Sequence, residues 1–360
     1  MAARSIDALL VTSLPNVTYL TNFAGSSAIV LLTSDRVHFL TDFRYVTELA
    51  DTRGTPHECP ALELTTVTGD YDVAVAELLA AQGASRVGFE AGHLTVARHE
   101  WLTGALRKRG SGVEFVAGDG LVEGLRARKD DYEIDVLREA ARRLSRVADR
   151  ILAQVGRGQT ETAVASTIDS YIRDAGFART AFETIVASGA HSALPHARPD
   201  VRTLSEGDLV VLDFGGVWDS YCVDLTRTVA VGRASSRARE VHGAVCRAHA
   251  AAIAAVAPGR SRFDIDAAAR QVLSDAGLGE AFGHGTGHGL GLEVHENPRV
   301  AKRRPDLDPP TDPVVSGMVF TIEPGAYLAG WGGVRIEDDV LVTDAGVEVL
   351  TDVTTDLIEI

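Results

Sequence analysis

Two kinds of residue in this 360-residue chain could do chemistry together: acids that end apolar runs, and histidines set among glycines. "GDLVVLDFGG" (207–216) and "GMVFTIEPG" (317–325) each run from a glycine through five residues to a carboxylate, Asp213 and Glu323. A second acid-bearing run follows each, with Asp224 in "YCVDLTRTVAV" and Glu337 in "GGVRIEDDVLV". A buried carboxylate is costly unless it is paired or neutralised. One such acid could be a helix cap or half of a structural ion pair, but four at equivalent places form a pattern. If they converge, each pair at ~4 Å costs roughly 4 kcal/mol at intermediate dielectric, and only cations can hold them together. Four negative charges match two divalent metals, with a histidine such as His288 as a fifth protein ligand. Oxygen-rich donors with one imidazole lean toward manganese, with zinc or cobalt as substitutes. Two such ions activate water and polarise a carbonyl, which is the chemistry of hydrolysis.

The histidines lie in "GHGTGHGLGLEVHE" (283–296), where His284, His288 and His295 stand among five glycines. Glycine weakens a strand or helix interior, so its repetition asks for a reason. A ligand or metal approaching the backbone is one; a flexible loop that happens to hold histidine is the other. Competing chemistries lack their signatures, since there is no GxSxG elbow, HExxH zinc helix or GxxxxGK[ST] phosphate loop.

The elements that must position these residues repeat. "GQTETAVASTIDSYIRDAGF" (158–177) and "GRSRFDIDAAARQVLSDAGL" (259–278) align without a gap, and both end in Asp-Ala-Gly, a helix C-cap. With the duplicated acids further on, residues 126–360 read as two related halves, each giving two helices and then two acid-bearing strands. The first helix, capped by Asp130 or Asp131, carries Ile134, Leu137, Ala141, Leu144, Ala148 and Ile151 at helical spacing. Residues 1–125 alternate strand-like runs ("SAIVLLT", "RVHFLTD", "SRVGFE") with helix-like ones ("YDVAVAELLAAQG", "LTVARHEWLTGALRKRG"). They form a small α/β domain with no catalytic constellation. The whole is an α/β (α+β) chain of two domains.

Composition narrows the partners. With 50 acidic and 35 basic residues the net charge is −15, so neither nucleic acid nor an anionic membrane is the expected partner. Three scattered cysteines, Cys59, Cys222 and Cys246, fit a reducing compartment. The N-terminus has no signal-peptide pattern, and the alanine-rich run at 248–257 is far short of a membrane span. The expected location is cytoplasmic.

"SALPH" (192–196), "LDFGG" with "DLTRT", "GHGTGHGLGLEVHE", "TIEPG" and "GVRIEDD" together resemble the M24 metallopeptidases of pita-bread fold. Those are the Xaa-Pro aminopeptidases, prolidases and methionine aminopeptidases, with creatinase a metal-free relative. The resemblance implies an N-terminal creatinase-like domain followed by a pita-bread catalytic domain of two pseudo-symmetric halves. It implies Asp213, Asp224, His288, Glu323 and Glu337 as ligands of two metal ions, with Glu323 doubling as proton shuttle. His295 would hydrogen-bond the substrate and His196 would stabilise the tetrahedral intermediate. Arg335 would face the substrate, His284 would be structural, and His191 an exposed loop residue. The glycines around His288 would let its strand come close to the metals. All five ligand types are present, against creatinase and against the peptide-binding relatives that keep the fold without the metals.

The long N-terminal domain sets the chain apart from methionine aminopeptidase. "TNFAGSSAIVLLTSDRVHFLTDFRY" (21–45) resembles Xaa-Pro aminopeptidases, whereas the compact length and Arg299 in "HENPR" resemble prolidase. The expectation is a metal-dependent Xaa-Pro aminopeptidase releasing the first residue of short peptides with proline second. Xaa-Pro dipeptidase is the alternative, and a non-catalytic peptide-binding protein the more distant one. A homodimer is implied by the same resemblance.

Overall fold

The computed structural model describes residues 4–118 and 120–360. The chain divides into two compact units, Met1–Gly124 and Leu125–Ile360.

In the first unit, apolar runs long enough to bury both faces form the sheet. Strands β1 (Ala8–Val11), β2 (Ile29–Leu32), β3 (Val37–Asp42), β4 (Leu62–Val67), β5 (Arg86–Glu90) and β6 (Glu114–Gly118) lie in the order β4-β3-β2-β1-β5-β6. The central pairs β1–β2 and β2–β3 are antiparallel and the outer ones parallel. Short helices α1 (Leu14–Thr21) and α2 (Val46–Asp51) accompany the longer α3 (Tyr71–Gln82) and α4 (Val96–Lys108). Asp70 caps α3 by accepting from the backbone of Asp72 and Val73, and Gly83 ends it at φ 65°. Leu79, Leu102 and Leu106 of the helices pack on Leu10, Leu31 and Leu40 of one sheet face, while Val11, Val30 and Phe39 face the other core.

The second unit, entered through the four-residue helix α5 (Glu123–Arg126), holds the duplicated elements. Helix α6 (Asp131–Leu152) starts with a capping box in which Asp130 and Glu133 satisfy each other's backbone N–H. With α7 (Glu161–Asp174) it covers β7 (Arg179–Thr180), β8 (Ile185–Ser188), β9 (Leu209–Trp218) and β10 (Tyr221–Ala230). Leu137, Ala141, Leu144, Ala148 and Ile151 meet Val210, Leu212, Phe214 and Leu225 in one core; Ile134 lies only half-buried at its rim. Helices α8 (Ser236–Ala255) and α9 (Arg262–Asp275) cover the second sheet. Its strands β11 (Gly287–Gly289), β12 (Glu296–Val300), β13 (Val319–Ile322), β16 (Asp338–Thr343) and β17 (Gly346–Val349) run in the order β12-β11-β13-β16-β17. Strands β14 (Gly325–Leu328) and β15 (Gly332–Arg335) pair separately. Ala248, Ile265 and Leu273 pack there on Phe320, Ile322 and Val340.

The halves differ where the sequence pattern suggests identity. β9 and β10 are uninterrupted, but the run "GGVRIEDDVLV" breaks at Ile336-Glu337. β15 pairs with β14, β16 pairs with β13, and Glu337 between them bridges to Thr226 of β10. The chain changes partners at the acid, which alternation of residue types does not reveal. No helix among the described residues is long and apolar enough to cross a membrane.

Candidate metal centre

Antiparallel register brings the first two acids together. Asp213 of β9 stands opposite Thr226 of β10, and Asp224 opposite Gly215. Directly paired residues share a sheet face, and so do residues two apart, so both carboxylates leave the same face on a diagonal. Gly215 leaves room there, since a Cβ would meet the Val223 carbonyl at 2.4 Å and Phe182 at 2.8 Å. Glu337 reaches the same place from the second half: its N–H donates to the Thr226 carbonyl at 3.1 Å, and its Oε2 accepts the Thr226 hydroxyl at 2.6 Å. Glu323, just past β13, is fixed by its N–H to the Thr286 carbonyl at 2.7 Å. His288 of β11 completes the group, with Nε2 3.5 Å from Glu323 Oε1 and 4.0 Å from Asp224 Oδ2.

The charges are unbalanced. Burial first, and the neighbouring carboxylates second, hold Asp224 and Glu337 well above the usual carboxylate range. Burial pushes Glu323 up to about 7 despite the opposing Arg335, and pushes His288 down to about 4. One guanidinium answers: Arg335 donates to Asp213, to the Thr226 hydroxyl (3.2 Å), to the Tyr327 hydroxyl (2.7 Å) and to the Pro195 carbonyl (3.2 Å). Burial works against its charge, yet Tyr327 and Asp213 keep it well above its ordinary value.

A divalent cation fits this donor set. One ligand atom each of Asp224, His288 and Glu337 lie within 4.8 Å of one another. Oδ1 of Asp213 and Oδ1 of Asp224 are buried with no hydrogen-bond partner among the described residues. The Nδ1–H of His288 donates to the Gly289 carbonyl at 3.1 Å, which leaves the Nε2 lone pair facing the acids.

The glycines have a different job from the expected one. A Cβ at Gly285, Gly287, Gly289 or Gly291 would lie 3.0, 1.8, 2.1 or 2.6 Å from the Val300, Thr321 or Asn297 carbonyl or the Glu296 carboxylate, respectively. Neighbouring backbone and Glu296 fill the missing side-chain space, and none of the four sits at positive φ. They serve strand packing, and they make room for a carboxylate that grips the loop.

All nine residues marked in the sequence line one cavity of about 550 Å³: the four acids and His288 above, with His196, His295, Arg299 and Arg335. His295 packs edge-on against His288, ring centroids 4.3 Å apart. Buried Arg126 and Lys129 hold Glu296, next to His295, at 2.5 and 2.7 Å. His284 also borders the cavity, but Nδ1 meets the Gly285 carbonyl and Nε2 the Tyr327 hydroxyl. His191 is no exposed loop residue: its Nδ1 lies 2.9 Å from the fully buried Glu161, whose desolvated carboxylate requires partners. Sequence reasoning missed Tyr327, Thr226 and the Arg126–Lys129–Glu296 cluster. Of these only Thr226 gave a signal, two residues past Asp224 on the same strand face.

Two helix-covered sheets that deliver four carboxylates and an imidazole into one cavity, three of them grouped as a metal ion requires, fit a metal-dependent hydrolase. The chain belongs to metallopeptidase family M24, whose profile matches residues 135–344. That of the creatinase/prolidase N-terminal domain matches residues 1–128. The chain is similar to an uncharacterized peptidase, YqhT, of Bacillus subtilis, 38% identical over 96% of this chain and 94% of that one. Among solved structures it resembles an Xaa-Pro dipeptidase from Bacillus anthracis (TM-score 0.91, 37% identity, 100% of this chain and 96% of that one). It also resembles an X-Pro aminopeptidase from Thermotoga maritima (TM-score 0.88, 31% identity, 100% and 99%). A prolidase from Pyrococcus furiosus gives 0.88, 30% identity and 98% of both chains.

Proposed function

We propose that the protein is a metal-dependent Xaa-Pro aminopeptidase, releasing the first residue of short peptides that carry proline second. The observation that carries this is the single cavity into which Asp213, Asp224, His288, Glu323, Glu337, His196 and His295 all project. Those first five residues would hold two divalent ions, manganese by the character of the donors, which when bound would activate water and polarise the scissile carbonyl. The chain's own groups do the rest. Glu323 takes and returns the proton at its carboxylate. His196 donates toward the carbonyl oxygen as negative charge develops there, and His295 hydrogen-bonds the substrate backbone. Arg335 orients Asp213, its guanidinium being committed to protein groups. Proline brings no amide hydrogen, so a site built for it need satisfy none; an alanine in its place would bury one at about 1–3 kcal/mol if unpaired.

Exposed Arg198 and Glu183 line the cavity, so it is open to solvent on their side, which supports a peptide longer than a dipeptide and hence the aminopeptidase reading. One observation favours a second reading, Xaa-Pro dipeptidase. Arg299 lines the same cavity, and no acid among the described residues lies within ion-pair distance of it, so it can receive a terminal carboxylate. The compact units and the family matches support domains at 1–125 and 126–360. The acidic surface and three free thiols support a cytoplasmic setting, and kinship supports a homodimer, to be weighed by light scattering. The deciding experiment measures an Xaa-Pro dipeptide beside an Xaa-Pro-Xaa tripeptide on protein whose metal content has been analysed, with and without Arg299→Ala. The tripeptide should be cut at least as well, and the variant should retain it. A strong dipeptide preference abolished by the variant makes the protein a dipeptidase, and a metal-free protein that cuts both refutes either reading.

A further inference from the structure

In each half of the second unit, a buried carboxylate on the second helix grips a hydroxyl residue that opens a histidine-bearing segment. On α7, Glu161 Oε1 accepts both the N–H and the hydroxyl of Ser188, each at 2.7 Å, while His191 Nδ1 lies 2.9 Å from Oε2. On α9, Asp266 Oδ1 accepts both the N–H (3.1 Å) and the hydroxyl (2.9 Å) of Thr286, while Arg270 Nε donates to Oδ2 at 2.6 Å. The plan is the same twice. One oxygen takes the amide and hydroxyl of a single residue, and the other meets a basic side chain. In the aligned helices Glu161 falls on Arg262, so Asp266 stands four residues later, one turn along the same face.

Each clamp leads directly to a different part of the site. Ser188 ends β8 and passes through the short turn Gly189–Ala193 to His196. Thr286 runs straight into β11 and His288, and its carbonyl accepts the N–H of Glu323. Arg270 also holds the carbonyls of Phe282 and His284, so the segment before His288 is fixed at three points. Packing of helix on sheet asks for none of this, because apolar pairs fill such space without desolvating a charge. Two hydrogen bonds from one residue to one oxygen fix a peptide plane as well as a position, and that is what a ligand-bearing strand requires.

We propose that Glu161 and Asp266 are a duplicated pair of positioning residues: Asp266 sets His288 and Glu323 for metal, and Glu161 sets His196 for substrate. The assignment rests on the functional reading above. Its test compares Asp266→Asn and Glu161→Gln, with the milder Thr286→Val and Ser188→Ala in case the acids are needed for folding. Manganese affinity is measured by calorimetry on chelator-stripped protein, the cobalt-loaded absorption spectrum is recorded, and kcat and KM are taken at saturating manganese. The Asp266 and Thr286 variants should bind manganese about 10–100-fold more weakly and shift the cobalt spectrum. The Glu161 and Ser188 variants should keep wild-type affinity and spectrum while kcat falls about tenfold. Equal effects of the two clamps on metal binding, or changes confined to Tm, overturn the assignment. A wild type that binds no manganese or spares Xaa-Pro peptides sinks the functional reading, and the assignment with it. A normal wild type with unaffected variants sinks the assignment alone.

Discussion

Gly287→Ala adds one methyl group beside His288, and the structure says where it must go. The new Cβ would lie 1.8 Å from the Thr321 carbonyl oxygen and 3.1 Å from its hydroxyl. A tolerable contact begins near 3.0 Å, so β11 and β13 must part by more than 1 Å at this point. Such overpacking typically costs about 1–3 kcal/mol. For a domain of this size that is a Tm lower by about 2–12 °C. The strain falls between His288 and Glu323, because His288 N–H donates to Thr321 Oγ1 (3.1 Å) and Glu323 N–H to the Thr286 carbonyl (2.7 Å). Misplacement of reacting groups by 1 Å costs about a hundredfold in rate, so activity should fall by about that factor and metal affinity with it. Gly283→Ala is the control from the same stretch, since its Cβ would meet nothing within 4 Å. Thermal unfolding, manganese calorimetry and kcat/KM on an Xaa-Pro tripeptide should separate the two variants. A Gly287→Ala protein indistinguishable from the Gly283→Ala protein would refute the packing argument.

Asp224→Asn should abolish hydrolysis and lower the bound metal per chain while leaving Tm of the metal-free protein unchanged or raised, because it removes charge from a crowded set; full activity or full metal content in the variant would be the contrary result. Lys129→Met deprives buried Glu296 of one of its two cations, a change of about 3–5 kcal/mol, and should raise KM through the displaced His295; circular dichroism and KM check it, and an unchanged KM refutes the link. Burial holds His242 down at about 4, against about 6.5 in the unfolded chain. The unfolded chain therefore binds the proton first as pH falls, so stability is intact above pH 6.5 and is lost between about 6.5 and 4. His242→Leu should shrink the Tm difference between pH 7 and pH 5, and an equal difference in both proteins would contradict the burial argument.

The convergence of the four acids was legible because duplication made it so. Asp213 and Glu323 stand at the same remove from a glycine, and a coincidence of that kind survives every change in the surrounding residues. The capped helix α6 was equally open to reading, since Asp130 and Glu133 are a local signal. What escaped depends on contacts between residues far apart in the chain. Lys129 meets Glu296 and Glu161 meets His191, and nothing near either acid announces its partner. The break at Glu337 escaped for a related reason. "GGVRIEDDVLV" has the composition of one strand, and only the competing edges of β14 and β13 divide it. The glycines misled in their purpose, because a missing side chain does not say whether a ligand, a backbone or a carboxylate will use the space.

Those long-range contacts explain how four acids can converge at all. Each second-half acid is placed by its own backbone, Glu337 through Thr226 and Glu323 through Thr286. Arg227 then ties the seam, donating to the Thr226 and Glu337 carbonyls and to buried Asp338 at 3.0, 2.6 and 2.7 Å. Asp339 accepts the N–H of Asp224 at 3.0 Å from the other side. The peptide groups of Asp224 and Glu337 are thus hydrogen-bonded across the two halves, so the repulsion of the acids is opposed by a framework that does not itself need a bound metal ion. A site so held is preorganised. Binding free energy then goes into the ligand bonds, with little left to spend on ordering the chain. It follows that the seam residues Thr226 and Arg227, which touch no substrate in the proposed reading, govern the spacing of the ligands as firmly as the ligands' own positions in the sequence.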